Sequence, residues 1–230
     1  NMLESDLIPY QAVSTIDAQA VLVFAPHPDD EVFGCSGAIH AHVMSGIKVH
    51  VVVLTDGVAG GDPNLRQKES QMAKKLLGYE SLQFWGLPDR CLQASQSLQE
   101  RIRNEIRSLG VDLIYAPSPW EIHPDHRQAS LAVSQAVIDI GGPLKLAYFE
   151  VGAPLRPNTL LDITAHKGLK DAAMACFHSQ QIQQDYAKHI QALNVYRTYT
   201  QDSSVIAAEA YLILNDKQLS LLKVQDLSQT

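Results

Sequence analysis

Val21-Leu22-Val23-Phe24-Ala25-Pro26-His27-Pro28-Asp29-Asp30-Glu31 decides the fold. Its first five residues are apolar, β-rich and uncharged, the composition of a short strand buried on both faces. One imidazole and three carboxylates then fall within five residues. Such charge at a strand end is costly unless something compensates it, and a divalent cation does so directly. The same chemistry returns at Glu121-Ile122-His123-Pro124-Asp125-His126, again after an apolar run, Val111-Asp112-Leu113-Ile114-Tyr115-Ala116. Either stretch alone also reads as an ordinary feature, a charged helix N-terminus or a solvated turn. Together, at two strand ends, they imply one metal site assembled by the fold.

Strand patterns fall at 21–25, 47–54, 82–85, 112–116 and 144–149, and helix patterns near 34–45, 65–77, 95–109 and 126–140. Gly46 and Gly78 stop the first two helices. This alternation predicts an α/β fold, a Rossmann-like, mostly parallel sheet with helices on both faces. Helical signals continue through 166–200, Ile206–Leu214 reads as a late strand, and a final helix is expected near 215–224. No linker interrupts the chain, so residues 1–230 are read as a single domain. In open α/β sheets ligands gather at the C-terminal ends of strands. Both His/Asp clusters and the Gly-rich loop from Thr55 to Gly61 fall at such ends. That loop has neither a P-loop lysine nor a GxGxxG order, and reads as an active-site loop rather than a nucleotide cradle.

Composition narrows the function. Hydrophobic residues make up 46% of the chain, enough for a core without staples. The formal net charge of −7 argues against nucleic acid as a partner, since phosphate binding needs a concentrated basic surface. Lys74-Lys75 and Arg101, Arg103 and Arg107 read as solvated helix faces. Cys35, Cys91 and Cys176 are odd in number and widely spaced, which favours a reducing, cytoplasmic setting over a disulfide framework. Cys35 lies among small residues and reads as a buried structural thiol. No signal peptide is expected, because Glu4 and Asp6 interrupt the N-terminus, and no apolar run reaches membrane-spanning length.

His27 and Asp30 stand three residues apart at a turn that Pro28 sharpens, and His126 supplies a third ligand. Two imidazoles and a carboxylate suit zinc with an open position for water, and Fe2+ uses a similar facial triad. Asp29 is then left beside the metal as a base for water. His123 can point into the site as an acid and oxyanion stabiliser, and Asp125 can hold an imidazole in the needed tautomer. One metal, one base and one acid make a hydrolase of amides or esters. His40, His42, His50, His166 and His189 read as surface or packing residues. Trp85, Tyr115 and Trp120 read as core first and as stacking platforms for a sugar or acyl group second.

At these residues the chain resembles the PIG-L/LmbE family of metal-dependent de-N-acetylases. Ala25 to Glu31 matches its A-x-H-P-D-D-E block and His123 to His126 its H-P-D-H block. Leu54-Thr55-Asp56-Gly57, Arg66-Gln67-Lys68-Glu69, Gly86-Leu87-Pro88-Asp89 and His178-Ser179-Gln180 resemble further motifs in the family's order, over roughly residues 20–180. Pro26, where smaller residues are commoner, departs from the pattern at the strand exit. The resemblance implies zinc on His27, Asp30 and His126, Asp29 as general base, and His123 as acid or oxyanion stabiliser. It also implies that Arg66 and Asp89 contact sugar hydroxyls, and that the substrate is an N-acetylglucosamine-type sugar or glycoconjugate. The rival readings are an amidase acting on a thiol conjugate or lipid-linked glycan, and a non-catalytic metal-containing sugar-binding protein.

Overall fold

The computed structural model describes residues 2–222. Eight strands form one sheet: β1 (Gln11–Val13), β2 (Ala20–Ala25), β3 (Lys48–Thr55), β4 (Ser81–Leu87), β5 (Leu113–Pro117), β6 (Lys145–Phe149), β7 (Thr159–Asp162) and β8 (Ala208–Asn215). Their order across the sheet is β1-β7-β8-β6-β5-β2-β3-β4. All pairs are parallel except those of β8, which runs antiparallel to both β6 and β7. The helices are α1 (Asp30–Met44), α2 (Pro63–Leu77), α3 (Gln96–Leu109), α4 (Pro124–Ile140), α5 (Lys167–Met174), α6 (His178–Gln181), α7 (Tyr186–Tyr196) and α8 (Asp216–Leu221).

β2 shows why the central strands read as unbroken apolar runs. Val21, Val23 and Ala25 face the core under α1, α2 and α5, while Leu22 and Phe24 face the core under α3 and α4. A strand covered on both faces has no polar side to alternate with. From β2 the chain proceeds outward to β3 and β4, then crosses back to β5 and β6 on the other side. The strand order therefore reverses between β2 and β5, and ligands of such sheets bind in the crevice at that point. Both His/Asp clusters leave the sheet there.

The expected strands and helices over residues 21–149 are present, most of them shifted by a few residues. Helix α1 begins at Asp30 rather than near 34, and it is broken: Cys35 has φ −145° and ψ 22°. The break is stabilised by a buried ion pair. The Glu209 carboxylate on β8 accepts from the Gly37 and Ala38 N–H groups (2.8 Å each), capping the second segment. Lys170 on α5 donates to the Phe33 carbonyl (3.0 Å) at the end of the first and to Glu209 Oε1 (2.6 Å). These bonds satisfy the orphan backbone groups that a helix break creates. Gly37 is required by the approach, since a Cβ would lie 2.6 Å from Ile163 and 2.8 Å from the Glu209 carboxyl.

The helical signals expected through 166–200 are α5, α6 and α7, and the strand expected at Ile206–Leu214 is β8. The last helix ends at Leu221, and residues 223–224 of its expected span lie outside the described residues. Cys35 is fully buried, and burial pushes its thiol pKa up, so it is inert packing. No helix among the described residues is long and apolar enough to cross a membrane.

His42 is buried under the sheet with Nε2 2.9 Å from the Tyr115 hydroxyl. Burial holds its imidazole down at about 4, with Asp112 and Glu209 pulling weakly the other way. The unfolded chain therefore takes up this proton near pH 6.5, well before the folded one. Stability present above pH 6.5 is lost as pH falls toward 4, to a total of about 3 kcal/mol from this residue. Urea unfolding of wild type and His42→Phe at pH 7 and pH 4.5 tests this. The variant is expected to lose less stability on acidification than wild type does.

Candidate active site

Pro26 leaves β2 and Pro28 turns the chain, so that His27, Asp29 and Asp30 meet the residues after β5. Asp30 Oδ2 is the meeting point: it lies 3.2 Å from His27 Nδ1 and 3.1 Å from His126 Nε2. His27, Asp30 and His126 are all buried. His123, half-buried, completes a triangle of imidazoles whose ring nitrogens lie within 4.8 Å of one another with His27 and His126. His27, Asp89, His123 and Asp125 form a second such group. The three residues expected as ligands are thus brought together, and Asp89 and Asp125 crowd the same imidazole from its far side.

The donor set fits a cation. His27 Nε2 stands 3.2 Å from both Asp125 Oδ2 and Asp89 Oδ1, two carboxylate oxygens competing for one ring nitrogen, and Asp89 Oδ1 is left a buried acceptor without a hydrogen bond. Burial alone would lower His27, yet the carboxylates of Asp125, Asp30 and Asp89 around its ring push it up to about 12. Burial likewise opposes the charged form of His126, and Asp30 followed by Glu121 overcomes it to reach about 9. Asp30 is held ionised against its burial, well below the usual carboxylate range, by His126 first and His27 second. Imidazoles gripped this hard by carboxylates mark a place where positive charge belongs, and a divalent ion supplies it.

Asp29 caps the N-terminus of α1 at φ 140°, a conformation that L residues rarely adopt. Its N–H donates to Glu31 Oε2 (3.1 Å) and its carbonyl accepts from Val32 and Phe33. The side chain is thereby turned into the cavity, where Oδ2 accepts from Arg66 Nη2 at 3.0 Å. Burial and then the Asp30 charge raise this carboxyl to about 7, against the pull of Arg66. Arg66 lines the cavity but is 3% exposed and engaged elsewhere as well, donating to the Gly57 carbonyl (2.6 Å) and the Pro28 carbonyl (3.0 Å). Gly57 is needed here: a Cβ would lie 2.6 Å from Arg66 Nη1.

His123 caps α4, and its Nδ1 accepts from the Asp125 N–H at 3.1 Å, which leaves the ring proton of the neutral form on Nε2. Burial, then the neighbouring His27 and His126, lower its pKa. This arrangement favours a neutral ring whose Nε2–H is the free donor. Asp125 is fixed by the loop after β4, accepting from Arg90 N (2.7 Å) and Leu92 N (3.1 Å), and so holds His27 as well as orienting the loop.

Two residues were not singled out from sequence. Glu121, 1% exposed, accepts from Val151 N and Gly152 N (2.7 and 2.8 Å) and lies 3.4 Å from His126 Nδ1, on the far side of the ring from the nitrogen that faces Asp30. Such outer carboxylates orient metal-binding imidazoles. Its position at the head of the second cluster was the available signal. His189, read as surface, instead lines the cavity with Tyr186 from α7. The cavity measures about 450 Å³, within the range of small-molecule sites. Trp85, Tyr115 and Trp120 are not in its lining. Ser179 and Gln180 tie α6 to the site through Glu69 and the Gly60 carbonyl.

A family profile described as PIG-L, GlcNAc-PI de-N-acetylase, matches residues 22–137, which carry both clusters. The chain belongs to the PIG-L family. Among relatives of this PIG-L chain, diacetylchitobiose deacetylase of Thermococcus kodakarensis is 32% identical over 139 residues, covering 55% of this chain and 52% of that protein. The chain thus spans about half the length of that curated relative. The 4-oxalmesaconate hydratase of Pseudomonas putida is 27% identical over 195 residues, covering 71% of this chain and 74% of that protein. N,N'-diacetylchitobiose deacetylase of Pyrococcus horikoshii, solved with an inhibitor, superposes with a TM-score of 0.77 at 26% identity, covering 87% of this chain and 85% of that one. The PIG-L fold, a mostly parallel sheet flanked by helices, is the one expected.

Proposed function

We propose that the protein hydrolyses the acetamide of an N-acetylglucosamine-type sugar or sugar conjugate, releasing acetate and a free amine. The observation that carries this reading is Asp29, a carboxylate held in a strained conformation beside the His27–Asp30–His126 cluster and not needed to complete it. A pure binding site has no use for such a group. His27, Asp30 and His126 would hold the metal, zinc on the chemistry of the set. When bound it polarises the amide carbonyl and acidifies water. Asp29 takes the proton from the attacking water, and Arg66 fixes the direction of its carboxylate. His123 donates from Nε2 to the oxyanion, and the proton gathered by Asp29 is passed to the leaving nitrogen. Asp89 lies on the cavity wall where sugar hydroxyls would be read, whereas Arg66, its donors committed to Asp29 and two carbonyls, acts through Asp29.

The longer match to a hydratase favours one second reading, addition of water across a carbon–carbon double bond at the same centre. Acetate release from a panel of N-acetylated sugars and conjugates, with zinc-loaded and chelator-stripped protein, separates the two. Zinc-dependent acetate release is the expected result. Hydration of an unsaturated acid with no acetate from any sugar would replace the deacetylase reading.

A further inference from the structure

We propose that His40 and His166 form a transition-metal site apart from the reaction centre, one that takes Cu2+ in preference to Ni2+ or Zn2+. The two imidazoles come from different elements, His40 from the later turns of α1 and His166 from the residue that opens α5. Their Nδ1 atoms lie 3.0 Å apart, with ring centroids 5.0 Å apart and planes crossed at 83°. Both side chains are half-buried, and neither lines the cavity. The assignment therefore stands independently of the deacetylase reading.

The local fold gives this pairing no other task. His166 occupies the N-cap of α5, yet its side chain makes no capping bond. Its backbone is already committed, the N–H to the Ile163 carbonyl (2.8 Å) and the carbonyl to Lys170 N (3.0 Å). Among the described residues, each imidazole has the other as its one side-chain hydrogen-bond partner, and neither pairs with a carboxylate. The adjacent ammonium, Lys167, is matched by Asp171 at 2.5 Å. Burial, and then His166, lower the pKa of His40, and the neutral imidazole is the form that binds a metal.

Donor type and spacing select the ion. Imidazole nitrogens without carboxylates suit Cu2+, Ni2+ and Zn2+, whereas Mg2+ and Ca2+ require oxygen ligands. Two nitrogens 3.0 Å apart, each about 2.0–2.1 Å from one ion, subtend about 90° at it. That is the cis angle of a tetragonal site, whereas a tetrahedral ion would hold them about 3.3 Å apart. Affinity of a given nitrogen site peaks at Cu2+ along the first-row series. Water fills the remaining positions. The ion would join α1 to α5, the two helices that Lys170 already ties through the Phe33 carbonyl.

The test titrates Cu2+ alone into the full chain, loaded beforehand with zinc, as wild type, His40→Gln and His166→Gln. Electron paramagnetic resonance counts bound Cu2+ and reads the nitrogens attached to it, and atomic absorption follows the zinc. Wild type is expected to take one Cu2+ with two coordinated nitrogens while its zinc is retained. Each single variant is expected to bind Cu2+ at least about ten-fold more weakly and to lose the two-nitrogen pattern. His27→Ala, which removes an expected ligand of the reaction centre, is expected to keep the wild-type Cu2+ spectrum. Displacement of zinc by Cu2+ one for one, loss of the spectrum in His27→Ala, or undiminished binding in both His→Gln variants overturns the assignment. So does the absence of any two-nitrogen Cu2+ in wild type.

Discussion

Asp29→Asn is expected to lower kcat for acetate release by about 10²–10⁴-fold while the protein still binds its metal at full stoichiometry. The amide keeps the size of the carboxylate and can still accept from Arg66 Nη2 through its carbonyl, so the N-terminal turn of α1 should hold. What disappears is the charge, and with it the ion pair with Arg66 and the proposed acceptance of a proton from water. The carboxyl is raised toward neutrality by burial and by Asp30, which suits a group that must gain and release a proton in each cycle. Metal content by atomic absorption, measured beside turnover, makes the result decisive. Loss of metal in the variant would make Asp29 a ligand and require another base.

Lys170→Met is expected to destabilise the fold by about 3–5 kcal/mol, a large share of the total stability of a domain this size. Lys170 and Glu209 are each 1% exposed, and their ion pair bridges the break in α1. Removing the ammonium leaves the Glu209 carboxylate buried, still accepting from Gly37, Ala38 and the Tyr211 hydroxyl but without its counter-charge. It also strips the Phe33 carbonyl of its donor. Urea unfolding checks the cost. Adding Glu209→Gln to Lys170→Met is expected to recover part of it, since the uncompensated charge goes too. A cost below about 1 kcal/mol for the single change would show that water reaches the pair.

Much of this was legible from residues alone, for physical reasons. Strands buried on both faces announce themselves as apolar runs, so β2, β3, β5 and β6 could be placed. The clusters after β2 and β5 were legible because no ordinary turn needs so many carboxylates beside imidazoles, and the structure brings His27, Asp30 and His126 around one carboxylate oxygen. β1 and β7, three and four residues long, carry too little pattern to register, and they gain their identity only by pairing, β1 with β7 and β7 with β8. The break in α1 was hidden because its caps come from Lys170 and Glu209, far along the chain. Arg66 shows a different limit. Its side-chain type suited hydroxyl recognition, but only the folded geometry reveals that its donors meet Asp29 and two carbonyls. His189 was passed over for the converse reason, since nothing local distinguishes a helix histidine until a cavity forms beside it.

The antiparallel strand β8 gives the molecule a direction in time. It is inserted between β6 and β7, so the sheet stays open until residues 208–215 have arrived, although every expected metal ligand lies before residue 127. A chain emerging from its N-terminus can stack β2 to β6 early, yet β6 keeps an unpaired edge and Glu209 has not reached the break in α1. The turn after β2 is then seated only once a segment far downstream of every expected ligand has been made, and long-range closure of this kind is the slow part of folding. A nascent chain stalled short of residue 208 would carry every ligand and no finished site.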